Sequence, residues 1–302
     1  MPLSVLLFLL SVWGSVAQDC GTLGPSASNP PTDCLNVDKY LVQMGFRSTN
    51  GCCCSARAVA VGTDSTKFTS NVIACEQKRV TDIDLTAGPT TPGTMPERFD
   101  LPELQYLQLR NLSLEGMVPD ISANKKLRWF DLSNNKLTGF VNPDFSPNIG
   151  VSDFTVSSNP ISAPFPPSLA ALSFVVYLRI DKTNITGEFP NLSNQSNLRT
   201  LNISCSGVTG RLDGRLPPYA DEISVNCNGE SKVYYCNSTL LPTFGVSRAK
   251  IPVGSSAQCP VSNTTTSVGK QGAGSTLALK PTAFHTLRLV VVGLIVSLLA
   301  PF

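Results

Sequence analysis

Residues 127 to 141, LRWFDLSNNKLTGFV, place apolar side chains at Leu127, Phe130, Leu132 and Leu137, an asparagine at Asn135 and a glycine at Gly139. The same template returns downstream as VSDFTVSSNPISAPFP, with Val151, Phe154, Val156, Asn159 and Ile161. It returns again as VVYLRIDKTNITGEFP (Val175, Leu178, Ile180, Ile185, Gly187, Pro190) and as LRTLNISCSGVTG (Leu198, Leu201, Ile203, Val208, Gly210). Upstream, LQYLQLRNLSLEGMVP carries Leu104, Leu107, Leu109, Leu114, Gly116 and Pro119. The array opens on RVTDIDL, with Val80, Ile83 and Leu85, and closes on ADEISVNCN, with Ile223, Val225 and Asn228. First places at Val80, Leu104, Leu127, Val151, Val175, Leu198 and Ala220 are separated by 24, 23, 24, 24, 23 and 22 residues. A unit of this length carries one short strand whose apolar side cannot be buried alone, so successive copies must stack and bury one another's side chains.

The spacing assigns roles. Side chains alternate along a strand, so the fourth and sixth places point into the core and the third and fifth point to the opposite, concave face. An asparagine after the strand, here Asn135 and Asn159, is placed to hydrogen-bond the backbone of the neighbouring coil and satisfy groups a turn would bury unpaired. The glycine relaxes the turn, and the proline after it starts an extended return.

This pattern, with its Gly-x-apolar-Pro ending, resembles plant-type extracellular leucine-rich repeats from Val80 to Asn228, about half of the chain. "Plant-type" describes the motif. The resemblance implies an α/β repeat fold: a short right-handed solenoid of about six to seven coils of 22 to 24 residues, with disulfide-bonded caps at both ends. Three copies depart from it, holding Leu112, Thr183 and Ser206 at the asparagine place. TAGPTTPGTMP has an extra residue before its glycine, and Asn142 replaces the expected proline.

The expected organisation is a signal peptide (1–17), a cysteine-rich N-terminal cap (18–79), the repeat array (80–228), a C-terminal cap (229–259), a Ser/Thr/Gly-rich stalk (260–274) and a removed attachment signal (275–302). The leader MPLSVLLFLLSVWGSVA ends in a small-x-small pattern that signal peptidase accepts. The stalk has no periodic apolar residues, as expected of a disordered, O-glycosylated spacer. The final segment, LVVVGLIVSLLA, is shorter than the about 20 residues that span a bilayer. It follows a polar spacer and the small residues Gly272, Ala273, Gly274 and Ser275, the layout of a glycosylphosphatidylinositol attachment signal. The chain is therefore expected on the outer face of the plasma membrane or in the cell wall.

All ten cysteines lie outside the leader, an even number in an oxidising compartment. The triplet Cys52-Cys53-Cys54 lacks the paired spacing that zinc requires, so no metal is expected. Cys205 and Cys227 occupy the eighth place of consecutive copies, and adjacent strands lie about 4.8 Å apart, close to the span of a disulfide. That pairing leaves Cys236 to Cys259 for the C-terminal cap. In DCLNVDKYLVQMGFRSTNGCCC the family resemblance implies a helix, expected over Val37 to Met44 with Leu41 and Met44 facing the first coil. The same resemblance implies that Cys34 and Cys75 each bridge to a member of the triplet, leaving Cys20 for the third. The fifteen pairings of these six cysteines stay open.

A net charge of +2 with 15% charged residues supplies no basic stripe for phosphates, which excludes nucleic acid as the partner. The single histidine, His285, falls in the segment expected to be removed, so no imidazole base remains and no enzyme or cofactor is expected. The pairs Asp82/Asp84 and Asp131/Asp153 look like carboxylate dyads but are expected on an open, solvated sheet with nothing to raise a pKa. Sequons stand at Asn111, Asn184, Asn191, Asn194, Asn202, Asn237 and Asn263. Asn202 occupies a fifth place on the concave face, where a glycan would confine binding to the earlier coils.

The ligand-reading residues expected on the concave face are Tyr106, Gln108, Arg128, Trp129, Asp131, Asp153, Tyr177 and Arg179. Exposed aromatics beside arginine are the chemistry of interaction hot spots. Together these features predict a non-catalytic cell-surface module that binds an extracellular protein, peptide or wall polysaccharide, with a membrane-spanning co-receptor as partner. The alternative is an inhibitor of secreted wall-degrading enzymes, because polygalacturonase-inhibiting proteins resemble this architecture, although with more repeats and no anchor.

Overall fold

A computed structural model of the chain describes residues 32–49, 51, 53–54, 71–77, 79–86, 88–89, 91–241 and 251–259. The leader, the stalk, the four candidate attachment residues, Asn263, Cys20 and Cys52 lie outside the described residues. Within them the chain forms helix α1 (Thr32–Gln43) and strands β1 (Val72–Glu76), β2 (Arg79–Leu85), β3 (Tyr106–Leu109), β4 (Glu115–Val118), β5 (Trp129–Asp131), β6 (Lys136–Phe140) and β7 (Asp153–Thr155). There follow β8 (Tyr177–Arg179), β9 (Thr186–Glu188), β10 (Thr200–Asn202), β11 (Gly207–Arg211), β12 (Glu222–Ser224) and β13 (Val233–Tyr234).

Each repeat contributes one strand to an eight-stranded sheet ordered β1-β2-β3-β5-β7-β8-β10-β12. From β2 onward the strands are parallel and in phase, so that Ile83, Leu107, Phe130, Phe154, Leu178, Leu201 and Ile223 line up across the sheet. These fourth-place residues are buried, together with their sixth-place neighbours Leu85, Leu109, Leu132, Val156, Ile180, Ile203 and Val225. In the middle coils phenylalanines fill the core, with Phe130 and Phe145 each packed on Phe154 at ring centroid distances of 5.3 and 4.9 Å. The fold is a leucine-rich-repeat solenoid of about seven turns with disulfide pairs towards both ends.

Two ladders of buried amides stitch the coils together. Asn135 Oδ1 accepts from the Leu112 and Leu114 amides of the preceding coil, and its Nδ2 donates to the carbonyls of Leu109 and Leu132. Asn159 repeats this one coil on, accepting from Leu137 and donating to Leu132 and Val156. Thr183, at the same place, stays within its own coil, donating to the Ile180 carbonyl at 2.7 Å and accepting from the Ile185 amide at 3.4 Å. The second ladder stands three residues before the first place of a copy: Asn124 donates to Leu101 O, Asn148 to Ile121 O and Asn124 O, and Gln195 to Ala170 O. The turns leaving β3, β5, β7, β8 and β10 are left-handed at the eighth place whatever residue stands there, with φ of 58° at Asn111, 57° at Asn134, 55° at Ser158, 53° at Lys182 and 53° at Cys205, whereas after β12 the left-handed residue is the ninth, Asn228, at 53°.

The N-terminal cap corrects one expectation. Helix α1 begins at Thr32, five residues before the expected Val37, and ends one residue before Met44. Asp33 in its first turn, where a negative charge suits the helix dipole, accepts from the Val80 amide at 3.0 Å and from Arg79 Nε at 2.9 Å. Leu41 and Met44 are buried. Cys34 is bonded to Cys53 and Cys54 to Cys75. The cap also supplies β1, which pairs antiparallel with β2 and extends the sheet beyond the first repeat. At the other end Cys205 is bonded to Cys227 and Cys236 to Cys259, with Cα separations of 4.5 and 5.5 Å. No helix among the described residues is long and apolar enough to cross a membrane.

Candidate ligand-binding face

Because the strands are in register, the side chains facing away from the core form rows that run across the coils. The third-place row reads Asp82, Tyr106, Trp129, Asp153, Tyr177, Thr200, Glu222. The fifth-place row reads Asp84, Gln108, Asp131, Thr155, Arg179, Asn202, Ser224. All eight residues expected to meet a ligand are therefore on this face or at its edge, but they are not equally available. Tyr106 is 38% exposed and Arg128 is exposed, whereas Gln108, Trp129, Tyr177 and Arg179 are half-buried. Asp131 and Asp153 are buried, with 9% and 1% of their surface exposed, which corrects the expectation of a solvated carboxylate face.

The reason is pairing within the face. Arg179 Nη1 donates to Asp153 Oδ2 at 3.2 Å, while its guanidinium lies 4.6 Å from the centre of the Tyr177 ring. Thr155 Oγ1 donates to Asp153 Oδ1 at 2.8 Å. A second group forms around Arg110, whose Nε lies 3.7 Å from Asp131 Oδ2 and whose Nη2 lies 4.0 Å from Asp84 Oδ1. Asp131 also accepts from the Ser133 amide at 2.9 Å, closing the turn after its own strand.

Electrostatics follow the burial. Burial pushes the Asp153 carboxyl above the ordinary carboxylate range; Thr155 and Arg179 pull it down, and nearby Asp131 pushes it up again. Asp84 is raised in the same way, by burial first and by Asp131, against the pull of Arg110. The expectation that nothing on this sheet would raise a pKa is thus corrected. Asp153 is hydrogen-bonded to Arg179, whereas Asp84 Oδ1 is buried without a hydrogen bond, 4.0 Å from Arg110 Nη2.

In the middle of the face Asp153, Thr155 and Ser157 of one coil are all buried, between coils that carry the half-buried rings of Trp129 and Tyr177 at the third place. With strands about 4.8 Å apart, these two third places are two strand spacings apart, about 10 Å. Arg179 pairs with Asp153 between them, and Trp129 keeps its indole Nε1 buried without a hydrogen bond.

Reading the third and fifth places found the rows but missed the seventh. Arg110 and Asp181 stand there; Asp181 Oδ1 accepts from Ser157 Oγ at 2.5 Å. Polar residues at every seventh place (Thr86, Arg110, Ser133, Ser157, Asp181, Ser204 and Asn226) were the available signal.

With this geometry in view, likeness to known proteins is informative at the level of the repeat. Residues 126–148 match the Leucine Rich Repeat family model. Over 113 residues, 36% of this chain, the sequence is 34% identical to Receptor-like protein 7 of Arabidopsis thaliana. The chain spans only 11% of the length of that relative. Among solved structures, the ectodomain of the receptor kinase SOBIR1 from Arabidopsis thaliana is similar at 25% identity and a TM-score of 0.44, covering 59% of this chain and 93% of that one. The plant peptide hormone receptor RGFR1, in complex with RGF2, is similar at 19% identity and a TM-score of 0.41, covering 57% and 34%.

Proposed function

We propose that the protein is a non-catalytic recognition module that reads an extracellular peptide or protein on the concave face between Tyr106 and Arg179. The observation that carries the reading is the third-place row of aromatic rings, Tyr106, Trp129 and Tyr177, broken only by Asp153, with Arg179 held by Asp153 at 3.2 Å and lying 4.6 Å from the Tyr177 ring. A ligand lying on this row meets aromatic surface and a guanidinium already oriented by its own aspartate. Aromatic and arginine side chains on a rigid sheet lose little conformational freedom on binding, which suits them to hot spots. The likeness to a receptor-like protein is consistent with this role.

The sequence of the C-terminal region adds a proposed lipid anchor at one of Gly272, Ala273, Gly274 or Ser275. The module would then act at the outer membrane face and signal through a membrane-spanning co-receptor. Phosphatidylinositol-specific phospholipase C should release it from intact cells; retention would contradict the anchor and leave the recognition site untouched. The recognition reading is tested by fluorescence. The chain has two tryptophans, and Trp13 falls in the leader, so Trp129 reports alone once the leader is removed. Fractionated extracellular peptides should shift its emission saturably, and polygalacturonase should keep its full activity in the presence of the protein. A silent Trp129, or inhibition of polygalacturonase, would favour the enzyme-inhibitor alternative.

A further inference from the structure

Among the described residues outside the sequons, Nδ2 of Asn36, Asn124, Asn135, Asn142, Asn148, Asn159 and Asn197 donates hydrogen bonds to carbonyl or carboxylate oxygens, while the turn residues Asn134 and Asn228 are held by their backbone conformation instead. In the six sequons of the described residues, no Nδ2 is engaged. Asn111, Asn184, Asn191, Asn194 and Asn237 are also exposed. The sixth, Asn202, is half-buried and lies on the concave sheet, directly beside Arg179 in the ladder.

Asn202 has a defined posture. Its Oδ1 accepts from the Ser204 amide at 3.1 Å and from Ser204 Oγ at 2.5 Å, so the sequon's asparagine and hydroxyl are joined and Nδ2 is left to point elsewhere. Asn237 shows the same arrangement with Thr239, through the amide at 3.0 Å and Oγ1 at 2.7 Å. The surroundings also suit a bulky group. Beyond Arg179 the third- and fifth-place rows hold Thr200, Glu222 and Ser224 beside Asn202, with no aromatic ring. None of the side chains proposed to read the ligand lies on the C-terminal side of Arg179.

We propose that Asn202 carries an N-linked glycan that covers the C-terminal end of the concave face and leaves the stretch from Tyr106 to Arg179 as its open part. The N–C bond forms between Nδ2 and the anomeric carbon of a lipid-diphosphate-linked oligosaccharide donor as the anomeric C–O bond breaks, the lipid diphosphate leaves and Nδ2 gives up one proton, so that Oδ1 keeps its contacts with Ser204. Its effect on ligand binding rests on the recognition function proposed above; its presence and its shielding of the sheet do not.

The test uses the full chain secreted by a glycosylating eukaryotic host and needs no ligand. Proteolysis followed by peptide N-glycosidase in heavy-oxygen water marks each occupied asparagine, with Asn184 and Asn191 as internal controls. The marked aspartate should be found at 202. Hydroxyl-radical labelling of the folded protein then reads the shielding. Reactivity of Tyr177, on the neighbouring strand, should rise about twofold in Ser204→Ala, which removes the sequon but keeps Asn202. Tyr106, four strands away, should not change, and Ser204→Thr should behave like the parent. An unmarked Asn202 in molecules marked at Asn184 overturns the proposal. So does an occupied Asn202 whose loss leaves Tyr177 unchanged, because the sugar would then lie off the face.

Discussion

Single side chains in this protein are legible when their place in the repeat has one physical job. Asn135 and Asn159 were readable because a polar residue after a buried strand must satisfy backbone groups of its neighbour. Asn124, Asn148 and Gln195 also donate to the neighbouring coil, though their side-chain oxygens accept nothing, and they escaped notice because Leu172 interrupts their column and the return segment has no simple period. Asn159→Ala should cost about 3 kcal/mol, since buried partners of its amide on two coils lose their bonds. Urea unfolding should show this as a lower midpoint with an unchanged slope. Lys182 offers the opposite case: it is exposed and holds a left-handed φ of 53°, which only glycine adopts without strain. Relief of about 1–2 kcal/mol of left-handed strain, less about 0.5–1 kcal/mol for the freer unfolded chain, should leave Lys182→Gly more stable by about 0.5 kcal/mol, visible as a slightly raised melting temperature.

At the scale of elements, the strands and their order followed from the period alone, whereas the caps did not. Capping segments occur once, so no repetition reveals β1, the early start of α1 or the choice among Cys52, Cys53 and Cys54. The C-terminal cap depends on one buried carboxylate. Asp213 accepts from the Cys236 and Asn237 amides at 2.8 and 2.9 Å and pairs with Arg211. Burial pushes its carboxyl up, but those two amides and Arg211 outweigh it and hold the group below the ordinary carboxylate range. Its contribution is therefore complete above that range and is lost as pH falls through it. Asp153 and Asp84, raised by burial, behave oppositely: the folded state holds their protons more tightly, so acid relieves their cost. Acidification should open the cap around residues 229–241 before the central sheet, as read by hydrogen exchange. Asp213→Asn should cost about 3 kcal/mol at neutral pH and flatten the acid dependence of the cap.

For the molecule as a whole, stacking makes stability nearly a sum over neighbouring coils. Side chains on the concave face can therefore vary without disturbing the spine. That independence is why the third and fifth places could be located in the sequence as a candidate surface. It is also why their pairing could not: the link from Arg179 to Asp153, or from Arg110 to Asp131 and Asp84, depends on which rotamers meet across coils. The account's central claim is that this face, between Tyr106 and Arg179, binds the ligand. The most direct measurement titrates extracellular peptide fractions against the parent protein, Trp129→Ala, Tyr106→Ala and a control at the exposed Val141, just after β6 and outside the concave sheet. Trp129→Ala should weaken binding at least about tenfold, corresponding to about 1.4 kcal/mol, with a smaller loss for Tyr106→Ala and none for Val141→Ala. Undiminished binding by both aromatic variants, or a loss confined to Val141→Ala, would contradict it.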